Sequence, residues 1–224
     1  MGFYLTRWVF PDRSMIGSMM TNAFDDARLL RGEIAAAAAR LIAQDGADYI
    51  TAKRKAARQI LGEAQASTHL LPDNALIESE VRLYNALFLA DTQPARLFQL
   101  RTIALSAMEA LEQFHPYLSG AVFNGTAGPY AEIHLQLFAE SAKEVQLFLL
   151  NKNINIDISE TPHFKGARHD AVETVSFLWR REGVHAALYE LDDMRGALKP
   201  KADGKAVRTD CAGLRALLAG APDT

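Results

Sequence analysis

Glu132 and His134 are the residues of this chain whose type and spacing most directly suggest chemistry. They stand at i and i+2 of an apolar run, EIHLQLF over residues 132–138. In a strand both side chains leave one face, while Ile133, Leu135 and Leu137 leave the other. Just upstream, Gly125-Thr126-Ala127-Gly128-Pro129 has the composition of a turn. A further acid, Asp157, lies in a second alternating run, NINIDIS, opposite Ile154, Ile156 and Ile158. Carboxylates on one strand face can hold divalent ions that neutralise phosphate charge, and a Gly-rich turn can bring backbone N–H groups to phosphate oxygens. The chemistry suggested is metal-assisted phosphoryl transfer. Glu132, His134 and Asp157 are its catalytic candidates, Glu132 and Asp157 its metal ligands, and Gly125 and Thr126 its nucleotide-binding turn. Glu173 and Glu190, in later alternating runs, are further carboxylates that compete with Asp157. The plain alternative is that all of these are solvent-facing strand residues beside an ordinary hairpin turn.

The elements that must position these residues change character near residue 116. Upstream, the pattern is helical. Thr21 or Asn22 caps a first helix with Asp25 and Asp26 in its first turn, and Gly46 ends it. Asp48 caps a second that Gly62 stops, Asp73 opens a third, and Thr92 with Pro94 opens a fourth that ends before His115-Pro116. Downstream, the spacing predicts strands at 121–123, 132–138 and over NINIDIS. It predicts a helix behind Ser141, then two strands, VETVSFLW and VHAALYEL, joined by a turn around Arg180 to Gly183. Phe177, Trp179 and Tyr189 are expected to pack this sheet. The fold class that follows is α+β: an N-terminal helical bundle, then a mixed or antiparallel sheet. The expected divisions are an unstructured or non-native extension over 1–20, with Met19 or Met20 as the natural start, helices over 21–116, the sheet domain over 117–198, and a polar tail with one short helix over 199–224.

Composition narrows the class. Apolar residues make up 49% of the chain and charged residues 23%, which suits a globular domain. A net charge of −3 gives no bulk attraction to nucleic acid, so a nucleic-acid partner is not expected. The single cysteine, Cys211, excludes an internal disulfide and fits a reducing, cytoplasmic setting. No apolar run reaches the roughly 20 residues of a membrane span. His163, His169 and His185 with Asp170 match no metal-ligand spacing. Lys53, Arg54, Lys55 and Arg58 read as a solvated basic face, with RNA or ligand phosphates as its alternative occupant.

The succession of a strand, the Gly125-Thr126 turn, the E-I-H-L strand, a helix and the I-D-I strand resembles the DNA polymerase beta-like nucleotidyltransferase superfamily. Its members carry a Gly-Ser or Gly-Thr turn, an Asp-x-Asp on the next strand and a third carboxylate on a later one. Over residues 30–195, the runs ITAKRKAARQIL, LPDNALIESE and NGTA are similar to those of a group of uncharacterised bacterial nucleotidyltransferase-like proteins. The resemblance places Gly125 and Thr126 at the turn, Glu132 at the first metal position, His134 at the second and Asp157 at the third, with Mg²⁺ or Mn²⁺ as cofactor. Two departures stand out: a histidine replaces the second carboxylate, and only six residues separate Gly125 from Glu132. Hard Mg²⁺ prefers oxygen, whereas imidazole accepts Mn²⁺ or Zn²⁺. The expected function is therefore a degenerate nucleotidyltransferase-fold protein that binds a nucleotide or a protein partner with weak or no catalysis. An active metal-dependent nucleotidyltransferase is the alternative, and a structural or regulatory module assembling through its helices the third.

Overall fold

The computed structural model describes residues 13–47, 49–62, 70–166, 168–194 and 206–220. Its fold is α+β, with N-terminal helices followed by a six-stranded mixed sheet. Four helices come first: α1 (Arg13–Asp45), α2 (Tyr49–Leu61), α3 (Asn74–Phe88) and α4 (Gln93–Ala110). Gly46 and Gly62 follow α1 and α2 with φ of 65° and 70°, a left-handed conformation open to glycine at little cost. Asp73 caps α3 by accepting the Leu76 N–H at 2.8 Å. One helix expectation is corrected. α1 begins at Arg13, so 13–20 is helical rather than an unstructured extension. Thr92 with Pro94 opens α4 as expected: the proline's fixed φ suits the first turn, while the Thr92 side chain makes no cap hydrogen bond. Asp48, the expected cap of α2, lies outside the described residues, as do residues 1–12.

The chain forms two compact units. One comprises Met1–Ile42 and Ala47–Glu80, the other Ala43–Gly46 and Val81–Thr224. The division therefore falls inside α3 rather than near residue 116. In the first unit the fully buried positions are mostly alanines, Ala35, Ala38, Ala52 and Ala56, together with Ile34 and Ile77. Lys53 Nζ donates to Asn74 Oδ1 at 3.1 Å, while Arg54, Lys55 and Arg58 face solvent.

The second unit is a sheet with its helices on one face. Its strands are β1 (Tyr117–Ser119), β2 (Ile133–Ala139), β3 (Asp157–Thr161), β4 (Val172–Trp179), β5 (Glu182–Glu190) and β6 (Arg208–Thr209), in the order β3-β4-β5-β2-β1-β6. β2 and β5 run parallel, and every other pair is antiparallel. Three further helices are α5 (Gly120–Asn124), α6 (Ala142–Asn151) and α7 (Cys211–Ala219). The core holds Ile133, Leu135 and Leu137 of β2 with Val175, Phe177, Val184, Ala186 and Leu188, as the alternation predicts. Leu100, Ala104 and Met108 of α4, Val145 and Leu149 of α6 and Leu214 of α7 cover them. That apolar stripe on α4 is why the helix belongs with the sheet.

Three strand expectations also change. Residues 121–123 form α5 rather than a strand, because Gly120 turns the backbone at φ 69° directly after β1. β3 starts at Asp157: Ile154 and Ile156 pack on the core from the preceding loop, and Ile158 is 56% exposed on an edge strand. The β4–β5 turn is only Arg180-Arg181, with Gly183 already in β5. The tail expected over Lys199–Lys205 lies outside the described residues, but the final helix is present, capped by Asp210 Oδ1 accepting the Gly213 N–H at 2.8 Å. Among the described residues no helix is long and apolar enough to cross a membrane.

Candidate functional site

The sheet face away from the helices has two halves. Toward the C-terminal ends of β2 and β5 it is apolar, with Phe138 and Tyr189 buried among Tyr117, Phe164 and Val172. Toward their N-terminal ends it is polar. Register explains this half. Asp157 pairs with Ser176, Ser176 with His185, His185 with His134, His134 with Ser119, and Ser119 with Arg208. One residue from each of the six strands thus lies at a single level of the sheet, and cross-strand partners share a face.

Three of these residues and Glu132 form a connected group. Ser176 Oγ lies 2.8 Å from His185 Nδ1, and His185 Nε2 lies 2.7 Å from Glu132 Oε2. The His134 ring stacks beside that of His185, with centroids 5.2 Å apart and planes 23° from parallel. Glu132 reaches His185 by lying across Gly183. A Cβ on Gly183 would stand 2.7 Å from Glu132 Oε1, closer than such atoms approach. Crowding by protein atoms lowers the pKa of His134 from its ordinary 6.5, and a charge on His185 would lower it further, against the pull of Glu132. His134 is therefore a neutral imidazole at neutral pH that still keeps an exposed surface.

Of the residues read from the sequence, Glu132 and His134 come together and Asp157 does not join them. β4 and β5 separate β3 from β2, so at about 4.8 Å per strand Asp157 stands roughly 14 Å from His134. Glu173 and Glu190 share their faces with Val175 and Leu188 respectively, on the helix-covered side. The strand beside β2 is β5, and the residue it places next to His134 is His185. Among the described residues no group of three or more His, Cys, Asp or Glu is placed to hold a metal ion. His163 and His169 lie apart from His185. Their rings are 4.9 Å from one another, and His163 Nε2 faces Asp193 at 3.2 Å beside a cavity of about 580 Å³ lined also by Tyr189 and Glu140.

The Gly125-Thr126 turn is bound from every side. The N–H groups of Gly125, Thr126 and Ala127 all point to the Ala121 carbonyl, and Asn124 Oδ1 accepts both the N–H and the hydroxyl of Thr126. Six consecutive carbonyls are taken by side chains. Arg101 donates to those of Val122 and Phe123, Arg82 to Asn124, Gln93 to Gly125 and Ala127, and Asn85 to Thr126. Thr126 is 1% exposed. The amides that a phosphate cradle requires are committed inside the fold.

Sequence reading missed Ser176 altogether and did not associate His185 with Glu132. The signal lay in the hairpin. Once the turn is two residues, Ser176 falls opposite His185 on the polar face. Comparison of the chain with protein families, with curated proteins and with solved structures finds no match.

Proposed function

We propose that this chain is a nucleotide-binding module with a nucleotidyltransferase-like sheet and without two-metal catalysis. The observation that carries the reading is the occupancy of the polar face. Where the resemblance calls for clustered carboxylates, there are one carboxylate and two imidazoles, and the carboxylate already accepts from His185. An imidazole carries no negative charge in any form present in water, so it does not replace the charge that a pair of Mg²⁺ ions needs around it. An open polar face next to exposed Leu178 can still take a base and sugar by stacking and hydrogen bonding.

Thermal shift of the full-length protein with each NTP, with and without Mg²⁺ or Mn²⁺, tests this. Stabilisation by an NTP that is indifferent to metal is the expected result, because a ligand of the folded state raises stability by mass action. Nucleotidyl transfer that requires Mg²⁺ and disappears in Glu132→Ala would sink the reading.

A second reading rests on the hydrogen-bonded order Ser176, His185, Glu132. A hydroxyl, an imidazole and an orienting carboxylate form the chain that activates a serine nucleophile for acyl transfer. Covalent labelling by a fluorophosphonate, lost in Ser176→Ala, would favour a hydrolase over a binding module.

A further inference from the structure

The hairpin between β4 and β5 turns on Arg180-Arg181, and both residues have positive φ, 50° and 72°. Two such residues in a two-residue loop make the I′ turn, whose usual occupants are Asn-Gly because glycine and asparagine tolerate the left-handed region. Arginine has no such tolerance. Residues flanking the turn are fixed on both sides. The closing pair is Trp179 and Glu182; the Trp179 indole N–H donates to Ser106 Oγ at 3.0 Å, and Glu182 takes a two-point grip from Arg96 at 2.6 and 2.8 Å. Both turn arginines are exposed, and neither guanidinium has a hydrogen-bond or ion-pair partner among the described residues. The neighbouring acids are already matched, Glu182 by Arg96 and Glu132 by His185. Leu178, 71% exposed, lies opposite Gly183 on the same face as Ser176 and His185.

We propose that Arg180 and Arg181 are the phosphate-binding site of this module, taking the di- or triphosphate of a nucleotide. The inference rests on the nucleotide-binding reading above and gives it a different anchor from the Gly125-Thr126 turn, whose amides are already engaged. Free guanidinium groups offer planar two-point donors that fit phosphate oxygens. The held flanks fix the backbone of the turn, so binding orders only the two arginine side chains. Two non-glycine residues at positive φ cost backbone energy at this exposed tip, which no packing of their side chains offsets.

The test uses full-length protein, wild type against the double substitution Arg180→Asn, Arg181→Gly, with ATP and inorganic tripolyphosphate as probes in calorimetric titration, alongside Tm. Asn-Gly preserves the turn type, so loss of binding cannot come from an unfolded hairpin. The expected result is a higher Tm together with at least a tenfold weaker affinity for both probes. Unchanged affinity for ATP in the double variant would overturn the arginine site while leaving nucleotide binding standing. Arginine-dependent binding of tripolyphosphate, with ATP binding no tighter, would support the site and remove the nucleoside part of the reading. Binding of neither probe by wild type would overturn both.

Discussion

At the residue scale, the polar face is governed by three groups in contact: the Ser176 hydroxyl, the His185 ring and the Glu132 carboxylate. Gly183 is the residue that permits the last of these. Replacing it with alanine puts a Cβ against Glu132 Oε1 and forces the carboxylate off His185. Glu132 is half exposed and can swing into solvent, so the stability cost of Gly183→Ala should stay below about 1 kcal/mol. The hydrogen-bonded imidazole N–H resonance of His185, present in the wild type, should vanish in the variant. His134 sets a pH dependence. Its pKa is lower in the folded protein than the ordinary 6.5, so below about 6.5 the unfolded chain binds the proton more readily. The stability this group contributes is complete above that pH and declines as pH falls, to an extent that solvent screening at the exposed ring reduces. Urea unfolding across that window should show a shallower acid decline in His134→Gln than in wild type. The alternation around Glu132 and His134 made their common face legible from sequence alone. What alternation cannot supply is the neighbour strand. Parallel pairing of β2 with β5 joins residues 51 positions apart, and neither periodicity nor turn composition encodes it, so Asp157 looked nearer in sequence than it stands in space.

At the element scale, α5 and the turn after it illustrate a different loss. Val122 and its apolar neighbours read as a strand, but a strand needs a backbone partner, and here the carbonyls of residues 122–127 find side-chain donors instead. Arg82, Asn85, Gln93 and Arg101 are the residues that decide it. They lie on α3 and α4 far upstream, so local propensity had no access to them. Gln93 serves two carbonyls at once, at 3.2 and 2.9 Å. Gln93→Ala should destabilise the protein by about 1–3 kcal/mol in chemical denaturation, the cost of leaving carbonyl groups unpaired where water has poor access. If the turn were instead a solvent-facing loop, the same substitution would change stability by only a few tenths. The β4–β5 hairpin carries a parallel expectation. Arg96 holds Glu182 by two charge-assisted hydrogen bonds, and the bond to Arg96 keeps the Glu182 carboxyl below its ordinary 4.5. That contribution is complete above about pH 4.5 and is lost as pH falls further. Arg96→Met should remove it, flattening acid unfolding in this range and costing about 1.5–3 kcal/mol at neutral pH.

At the scale of the whole molecule, the boundary between the two compact units is the feature that sequence placed worst. The switch from helical to strand periodicity near residue 116 is real, but periodicity marks secondary structure, whereas a unit is defined by which apolar surfaces share a core. α4 is helical and belongs with the strands because Leu100, Ala104 and Met108 face Ile133, Leu135 and their neighbours in one cluster. A consequence follows for cooperativity. Groups that share a core open together, so the amides of α4 should exchange with those of β2 and β5 and not with those of α1 and α2. Leu100 is fully buried in that cluster, and Leu100→Ala should cost about 2–5 kcal/mol through lost burial and the cavity left behind. In hydrogen exchange under mild denaturant, the variant should accelerate α4, β2 and β5 by a common factor while leaving the slowest amides of α1 and α2 at their wild-type rates. A uniform acceleration of all four helices, with the sheet unchanged, would return α4 to the N-terminal helices and restore the boundary that periodicity alone suggests.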